Sequence, residues 1–209
     1  MDILFCSLLV LGAYLVGAIP FGFIIGKLNG VDVRKAGSGN IGATNVTRTV
    51  GKTAGRVCFA LDLVKGALPV LAALLIYREG EYAWLALVCG AAAILGHIFP
   101  VYLKFKGGKG ISTAAGVAVA LAPLPLVGAA AVWGAVFLIW RYVSLASIAA
   151  AVALPLLALL FILLGVGSEA ARSWVTLAFF AVVALLAVLR HTENIKRLFN
   201  GTESRFGKK

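Results

Sequence analysis

From Ile111 to Trp140 the chain reads ISTAAGVAVALAPLPLVGAAAVWGAVFLIW, an apolar run without a single charged residue. As one helix it would measure roughly 45 Å at about 1.5 Å per residue, against a bilayer hydrocarbon core of about 30 Å. Pro123 and Pro125 flank Leu124 near its middle, and each proline removes a helical donor and crowds the preceding turn. The run is therefore either one overlong kinked helix or two short helices meeting at the Pro-Leu-Pro corner, and hydropathy alone leaves both open.

Charge on either side of the run decides between them. Further apolar stretches lie at 3–27, 53–77, 82–103, 144–165 and 172–190, each near the roughly 20 residues that a membrane crossing needs. With two helices in the middle run and an external N-terminus, the basic residues at Lys27 to Arg56, Lys104 to Lys109, Arg141 and Arg190 to Lys209 all face the cytoplasm. Only Arg78 and Arg172 fall outside, and Lys65 lies within a span. A six-span chain would divide the two largest basic clusters across the membrane, so the positive-inside rule favours seven. The expected fold is an all-α integral membrane protein of seven transmembrane helices, with the N-terminus outside, the C-terminus cytoplasmic and two short middle helices. Residues 1–209 form one transmembrane domain in this reading.

Composition agrees. Hydrophobic residues make up 62% of the chain and charged residues 13%, well below the usual quarter for soluble domains. The hydrophobic runs recur along the whole length, so the first is read as a span rather than a removable signal peptide. A net charge of +11 would raise nucleic acid as a partner in a soluble protein; here it is assigned to loops facing anionic lipid, and no nucleic acid is expected. Cys6, Cys58 and Cys89 all sit inside apolar segments without a CxxC pair, which argues for buried apolar side chains and against a disulfide framework or zinc site.

Three cytoplasmic segments carry the chemistry. The first runs from Val31 to Arg48. Gly37, Gly39 and Gly42 permit close backbone approach, and Ser38, Asn40, Thr44, Asn45 and Arg48 add short polar arms and a guanidinium, a combination suited to an anion. The second, Lys104-Phe105-Lys106-Gly107-Gly108-Lys109-Gly110-Ile111-Ser112, opens the first of the short helices. There free N–H groups, the helix dipole and lysines favour a phosphate. It is not a Walker A loop, which needs two glycines five positions apart followed by Lys and Ser or Thr. The third follows the last span and contains His191, Glu193, Asn194, Lys196, Arg197 and Glu203; His191 is a candidate base or phosphate donor. Within the spans, Asp62 and Lys65 are three apart and able to pair, either as a structural ion pair or in catalysis. His97 is open to the same two readings, and Ser144 either reaches the site or caps its helix.

Taken together, Gly37-Ser38-Gly39-Asn40-Ile41-Gly42-Ala43-Thr44-Asn45, Lys106-Gly107-Gly108-Lys109-Gly110 and His191-Thr192-Glu193-Asn194-Ile195-Lys196-Arg197-Leu198 resemble the bacterial acyl-phosphate:glycerol-3-phosphate acyltransferases, the PlsY family. The resemblance covers essentially the whole chain. It implies a multi-pass enzyme of the bacterial inner membrane with its site toward the cytoplasm. The implied reaction moves a long-chain acyl group from acyl phosphate to the 1-hydroxyl of glycerol 3-phosphate, in phospholipid biosynthesis, without cofactor or metal. Carried over residue by residue, it makes Ser38, Arg48, His191 and Asn194 catalytic and gives Glu203 a structural role. The Gly107 to Gly110 loop becomes the glycerol-phosphate site, with Lys104, Lys109, Ser112, Ser144, Asn40, Thr44 and Asn45 as further substrate contacts.

Two other classes compete. A transporter for phosphorylated solutes would place its motifs deep in the spans, near the bilayer midplane. A lipid phosphatase would want a strong nucleophile or metal-binding carboxylates. The motifs lie in loops instead, and those loops offer neither group clearly.

Overall fold

The structure, a computed structural model, describes residues 3–76, 84–169 and 171–207. Arg78 and Glu79 lie outside the described residues. The described residues contain ten α-helices and no strand: α1 Ile3–Ala18, α2 Phe21–Leu28, α3 Ala43–Thr49, α4 Lys52–Ile76, α5 Trp84–Ile98, α6 Ile111–Leu121, α7 Pro123–Trp140, α8 Val143–Leu164, α9 Trp174–Leu189 and α10 Thr192–Phe199. A single 3-10 turn at Val101–Leu103 follows α5.

The middle run breaks at its proline corner. α6 ends at Leu121, Ala122 leaves the helical region at φ −150° and ψ 70°, and α7 begins on Pro123, where a missing N–H costs nothing because the first helical donors are unpaired anyway. Five segments have the length and apolarity to cross a membrane: Ile3–Leu28, Lys52–Ile76, Trp84–Leu103, Pro123–Trp140 and Val143–Leu164. α9 and α10, bent by 56° at their junction, make a sixth if they count as one span. α6 has 11 residues, roughly 16 Å of helix, and is too short to cross alone. The chain is thus all-helical and multi-pass. Side chains such as Leu71, Leu75, Leu156, Leu163, Val182 and Leu185 stand exposed on these helices, as lipid contact requires and water would penalise.

The chain divides into two compact units, residues 1–120 and 121–209. In the first, α5 packs on α1 and α4, and glycines close the seams between α1 and α5 and between α6 and α4. A Cβ at Gly17 would collide with the Ala93 backbone, one at Gly96 with the Tyr14 carbonyl, and one at Gly116 with the Leu63 carbonyl. Lipid tails are as apolar as leucine, so helices in a bilayer gain by close van der Waals approach of this kind rather than by hiding apolar surface. The Tyr14 hydroxyl donates to the Phe99 carbonyl at 2.8 Å and ties α1 to the end of α5. In the second unit α8 packs against both α7 and α9, and the Trp133 indole N–H reaches the Ser147 hydroxyl at 3.2 Å.

Candidate active site

The loop from Val31 to Gly42 is a folded element, not a loose connector. Val33, Ile41, Val46 and Cys58 form a small buried core beneath it, flanked by Phe23, Ile25 and Leu103. Its geometry centres on Asn45, which is 1% exposed. The Asn45 Nδ2 group donates to the carbonyls of Val33 (2.8 Å), Ala36 (3.1 Å) and Asn40 (2.8 Å), and Oδ1 accepts the Ser38 N–H at 2.8 Å. The Asn45 amide, which the first motif offers as a substrate contact, is engaged with the loop backbone and organises the loop. Gly37 has φ +60° and Gly39 φ +71°, left-handed values that glycine adopts without cost. A Cβ at Gly37 would also strike Asn45 Oδ1. Asn40 Oδ1 accepts the Gly42 N–H at 2.8 Å just before α3.

This folding leaves Ser38 exposed at the crest of the loop. Among the described residues its hydroxyl takes part in no hydrogen bond with another side chain, while its own N–H is pinned. Thr44 is half-buried on the first turn of α3, and Arg48 is exposed on the last. Nearby, Arg34 Nη2 lies 2.8 Å from Asp32 Oδ2 and its guanidinium stacks 4.4 Å from the Phe23 ring centroid. The Arg34 hydrogen bond holds the Asp32 carboxyl well below the usual carboxylate range.

The second motif is a tight turn between α5 and α6. Lys104 and Phe105 occupy the left-handed region at φ 52° and 62°, an arrangement costing roughly 1 kcal/mol or more per non-glycine residue. The Phe105 N–H bonds to the Pro100 carbonyl at 2.9 Å, and the Gly108 N–H to the His97 carbonyl at 3.1 Å. Gly110, at φ +82°, turns directly into α6. Lys104 and Lys106 are exposed, Lys109 and Ser112 half-buried. Thr113, not singled out from the sequence, is fully buried with no hydrogen-bond partner for its hydroxyl among the described residues.

The third motif belongs to the second unit and is organised by Glu203. Its Oε1 accepts from the Ser144 hydroxyl (2.7 Å) and from Asn194 Nδ2 (2.7 Å), and its Oε2 accepts from Arg197 Nε (2.7 Å). Burial raises the Glu203 pKa, but the bonds from Ser144, Asn194 and Arg197 outweigh it, so the group stays ionised below the ordinary glutamate value. Ser144 was expected as a substrate contact or a helix cap; its hydroxyl goes to Glu203. Around this hub the Phe206 N–H bonds to the Arg141 carbonyl at 2.8 Å and Arg205 Nε to the Tyr142 hydroxyl at 3.0 Å. His191 is 2% exposed, and its Nδ1 lies 2.7 Å from the Ala187 carbonyl. A carbonyl only accepts, so Nδ1 carries the proton in this contact. Arg197 is the cationic partner that makes the hub neutral overall. Its spacing of six from Glu203 across a turn gives no periodic signal.

Within the first unit the structure places Ser38, Asn40, Thr44, Asn45 and Arg48 on one folded loop and Lys104 to Ser112 on one turn. Within the second it gathers Ser144, Asn194 and Glu203 and seats His191 one turn before Asn194. An exposed serine hydroxyl, glycine turns and cations in a multi-pass helical chain make up a membrane protein suited to anionic ligands. Comparison with known proteins makes this specific. A family model described as glycerol-3-phosphate acyltransferase matches residues 7–201. Proteins named glycerol-3-phosphate acyltransferase include one from Trichlorobacter lovleyi, 46% identical and covering 94% of this chain and 95% of that protein. Another, from Aquifex aeolicus, is 46% identical with coverages of 95% and 97%. A crystal structure of PlsY (YgiH), described as an integral membrane glycerol 3-phosphate acyltransferase in its glycerol 3-phosphate form, aligns with a TM-score of 0.86 and 44% identity over 97% of this chain and 96% of that one. Its lysophosphatidic acid form gives a TM-score of 0.84 and 43% identity, covering 97% of this chain and 95% of that one. The chain belongs to the glycerol-3-phosphate acyltransferase family of PlsY type and is an acyltransferase.

Proposed function

We propose that the protein acylates the 1-hydroxyl of glycerol 3-phosphate with acyl phosphate as donor, releasing lysophosphatidic acid and inorganic phosphate. The whole-length likeness to structures described with glycerol 3-phosphate and with lysophosphatidic acid is the observation that carries this reading. In this reading the whole chain is one transmembrane domain with seven membrane segments and an external N-terminus, α6 being a short segment that enters the bilayer without crossing it by its helix alone. Its basic loops then face the cytoplasm of a bacterial inner membrane. The glycine turn and Lys109 hold the glycerol 3-phosphate phosphate, assisted by Lys104 and Ser112. Arg48, with the Asn40 and Thr44 loop, serves the acyl phosphate, and the lipid-facing helices take its chain.

Ser38 acts as a hydrogen-bond donor. Acyl phosphate is already a mixed anhydride, so the glycerol oxygen attacks the acyl carbon directly, the carbon–oxygen bond to phosphate breaks, and phosphate departs with the electron pair. The glycerol proton goes to His191 Nε2 or to a substrate phosphate, whose second pKa lies near 6. Asn194, held by Glu203, positions the third motif.

The purified full chain, assayed with acyl phosphate, acyl-CoA and acyl carrier protein as alternative donors, should turn over only the first; equal rates with acyl-CoA would overturn the donor assignment. Initial-velocity lines with both substrates varied should intersect. Parallel lines, or radioactive acyl groups trapped on Ser38 without acceptor, would establish a covalent intermediate instead. An impermeant thiol reagent applied to intact cells should miss cysteines introduced at 38, 109 and 191 and label one at 169.

A further inference from the structure

Three ionisable side chains of the first unit lie inside the apolar helices and have no part in the reaction as described. Asp62 and Lys65 on α4 and His97 on α5 are 2%, 3% and 4% exposed. Lys65 Nζ sits 2.8 Å from Asp62 Oδ1, donates to the Ile19 carbonyl at 2.7 Å, and lies 5.5 Å from the Phe21 ring centroid. It thus anchors the pair to the break between α1 and α2. His97 Nδ1 stands 3.6 Å from the same Asp62 oxygen, an electrostatic contact beyond hydrogen-bond length. A charge inside a membrane helix costs about 3 kcal/mol, and a buried ion pair is often no more stabilising than apolar residues of equal volume. Stability is therefore a weak account of this cluster.

What the cluster touches suggests another. The His97 carbonyl accepts the Gly108 N–H. A Cβ at Gly107 would strike that carbonyl and Pro100, and one at Gly108 would strike the imidazole Nε2. The two glycines of the second motif therefore lie flat on His97, backbone on carbonyl and Cα on ring. On the other side of the turn, a Cβ at Gly66, the residue after Lys65, would strike the Thr113 carbonyl in the first turn of α6. The helix that carries Asp62 and Lys65 thus supports the far end of the turn, and His97 supports the near end.

We propose that Asp62, Lys65 and His97 are positioning residues that hold the Gly107-Gly108 turn, and with it Lys109, in register for the acceptor phosphate. The chain of contacts runs from the Ile19 carbonyl through Lys65 and Asp62 to the His97 ring, and from the ring to the turn. This inference rests on the reading of the turn as the glycerol 3-phosphate site.

The test is steady-state kinetics on purified full-length variants with both substrates varied, alongside thermal unfolding. Asp62→Asn and His97→Ala should each raise KM for glycerol 3-phosphate about tenfold, with KM for acyl phosphate changed less than twofold and kcat largely kept. Gly108→Ala should raise the same KM by pressing a methyl group into the His97 ring. Combining it with His97→Ala removes the obstacle, so the double variant should bind acceptor better than Gly108→Ala alone with KM for acyl phosphate unmoved, a selectivity that a merely structural role would not give. If His97→Ala does not fold, His97→Asn serves in the same pairing. Equal effects on both substrates, or no rescue by either residue at 97, would overturn the proposal. Lys109→Ala separates the two levels: if it selectively raises KM for glycerol 3-phosphate while the Asp62 and His97 variants do not, only the positioning role fails. If Lys109→Ala is unselective, the site assignment fails and this inference with it.

Discussion

The first loop and the C-terminal tail solve one problem in opposite ways. Each must hold an irregular backbone still, and each uses a single buried side chain with several partners. Asn45 does so without charge, joining three carbonyls and one N–H. Glu203 does so with a carboxylate, drawing in Ser144, Asn194 and the Arg197 guanidinium. A neutral amide offers both donors and acceptors and suits a loop whose own backbone has both to satisfy. An ionised carboxylate only accepts, and suits a place where side-chain donors from separate elements converge. The difference predicts different failures.

The largest effect should come from Asn45→Asp, which keeps shape but turns a donor into an oxygen facing three carbonyls. We expect a loss of at least about 3 kcal/mol, comparable to an uncompensated buried charge, seen as loss of thermal stability and of all activity. Asn45→Ala, which only removes partners, should cost less, and a result in which Asp is milder than Ala would break the account of the loop. Next in size is Glu203→Gln. It leaves Arg197 without its counter-charge and sets an NH2 group against a donor, Arg197 Nε on one side or the Ser144 and Asn194 pair on the other, for a loss of about 2 kcal/mol, with the tail rather than the first loop gaining hydrogen exchange.

Acidification should separate the regions without mutation. The Glu203 pKa is depressed on folding, so its contribution is fully present above the ordinary glutamate value near 4.5 and is lost as pH falls from there through the lower folded value. Amide exchange corrected for its intrinsic pH dependence should therefore rise in residues 191–206 below about pH 4.5, with residues 31–45 lagging behind. Loosening of both together would mean that the tail is held mainly by packing. The smallest effect belongs to Lys196→Ala. Lys196 meets Glu193 at 2.9 Å with both side chains 70% exposed, and solvent screens such a pair so strongly that its loss should leave the unfolding temperature unchanged.

These contrasts also mark what could be read from residues alone. The apolar runs and the Pro-Leu-Pro corner predict most of the long helices to within a few residues, because length, hydropathy and proline act locally, but the run at 3–27 hides the break between α1 and α2 before Phe21. The pairing of Asp62 with Lys65 was legible from their spacing of three. The inward turn of Asn45 was not, since Asn among Gly and Ser reads equally as ligand arm or backbone brace. Nor was the convergence of Ser144 and Asn194 on Glu203, which joins residues 59 and 9 positions apart and leaves no periodic trace. The membrane run divides into α6 and α7 at the proline corner, one of the two arrangements that hydropathy allows, but unequally: α6 has 11 residues and α7 has 18, so only the first of the two expected short helices is short.

The glycine seams of the first unit bear on how this scaffold can be re-engineered. Where Gly17, Gly66, Gly96 and Gly116 meet neighbouring backbone, alanine is already too large, so a designer has no smaller vocabulary to draw on and no conservative choice at these four positions. The outward-facing leucines of the same helices, among them Leu71 and Leu75, touch no such boundary. Libraries aimed at new acyl specificity are best confined to surfaces of that second kind, leaving the seams as the invariant frame on which they are written.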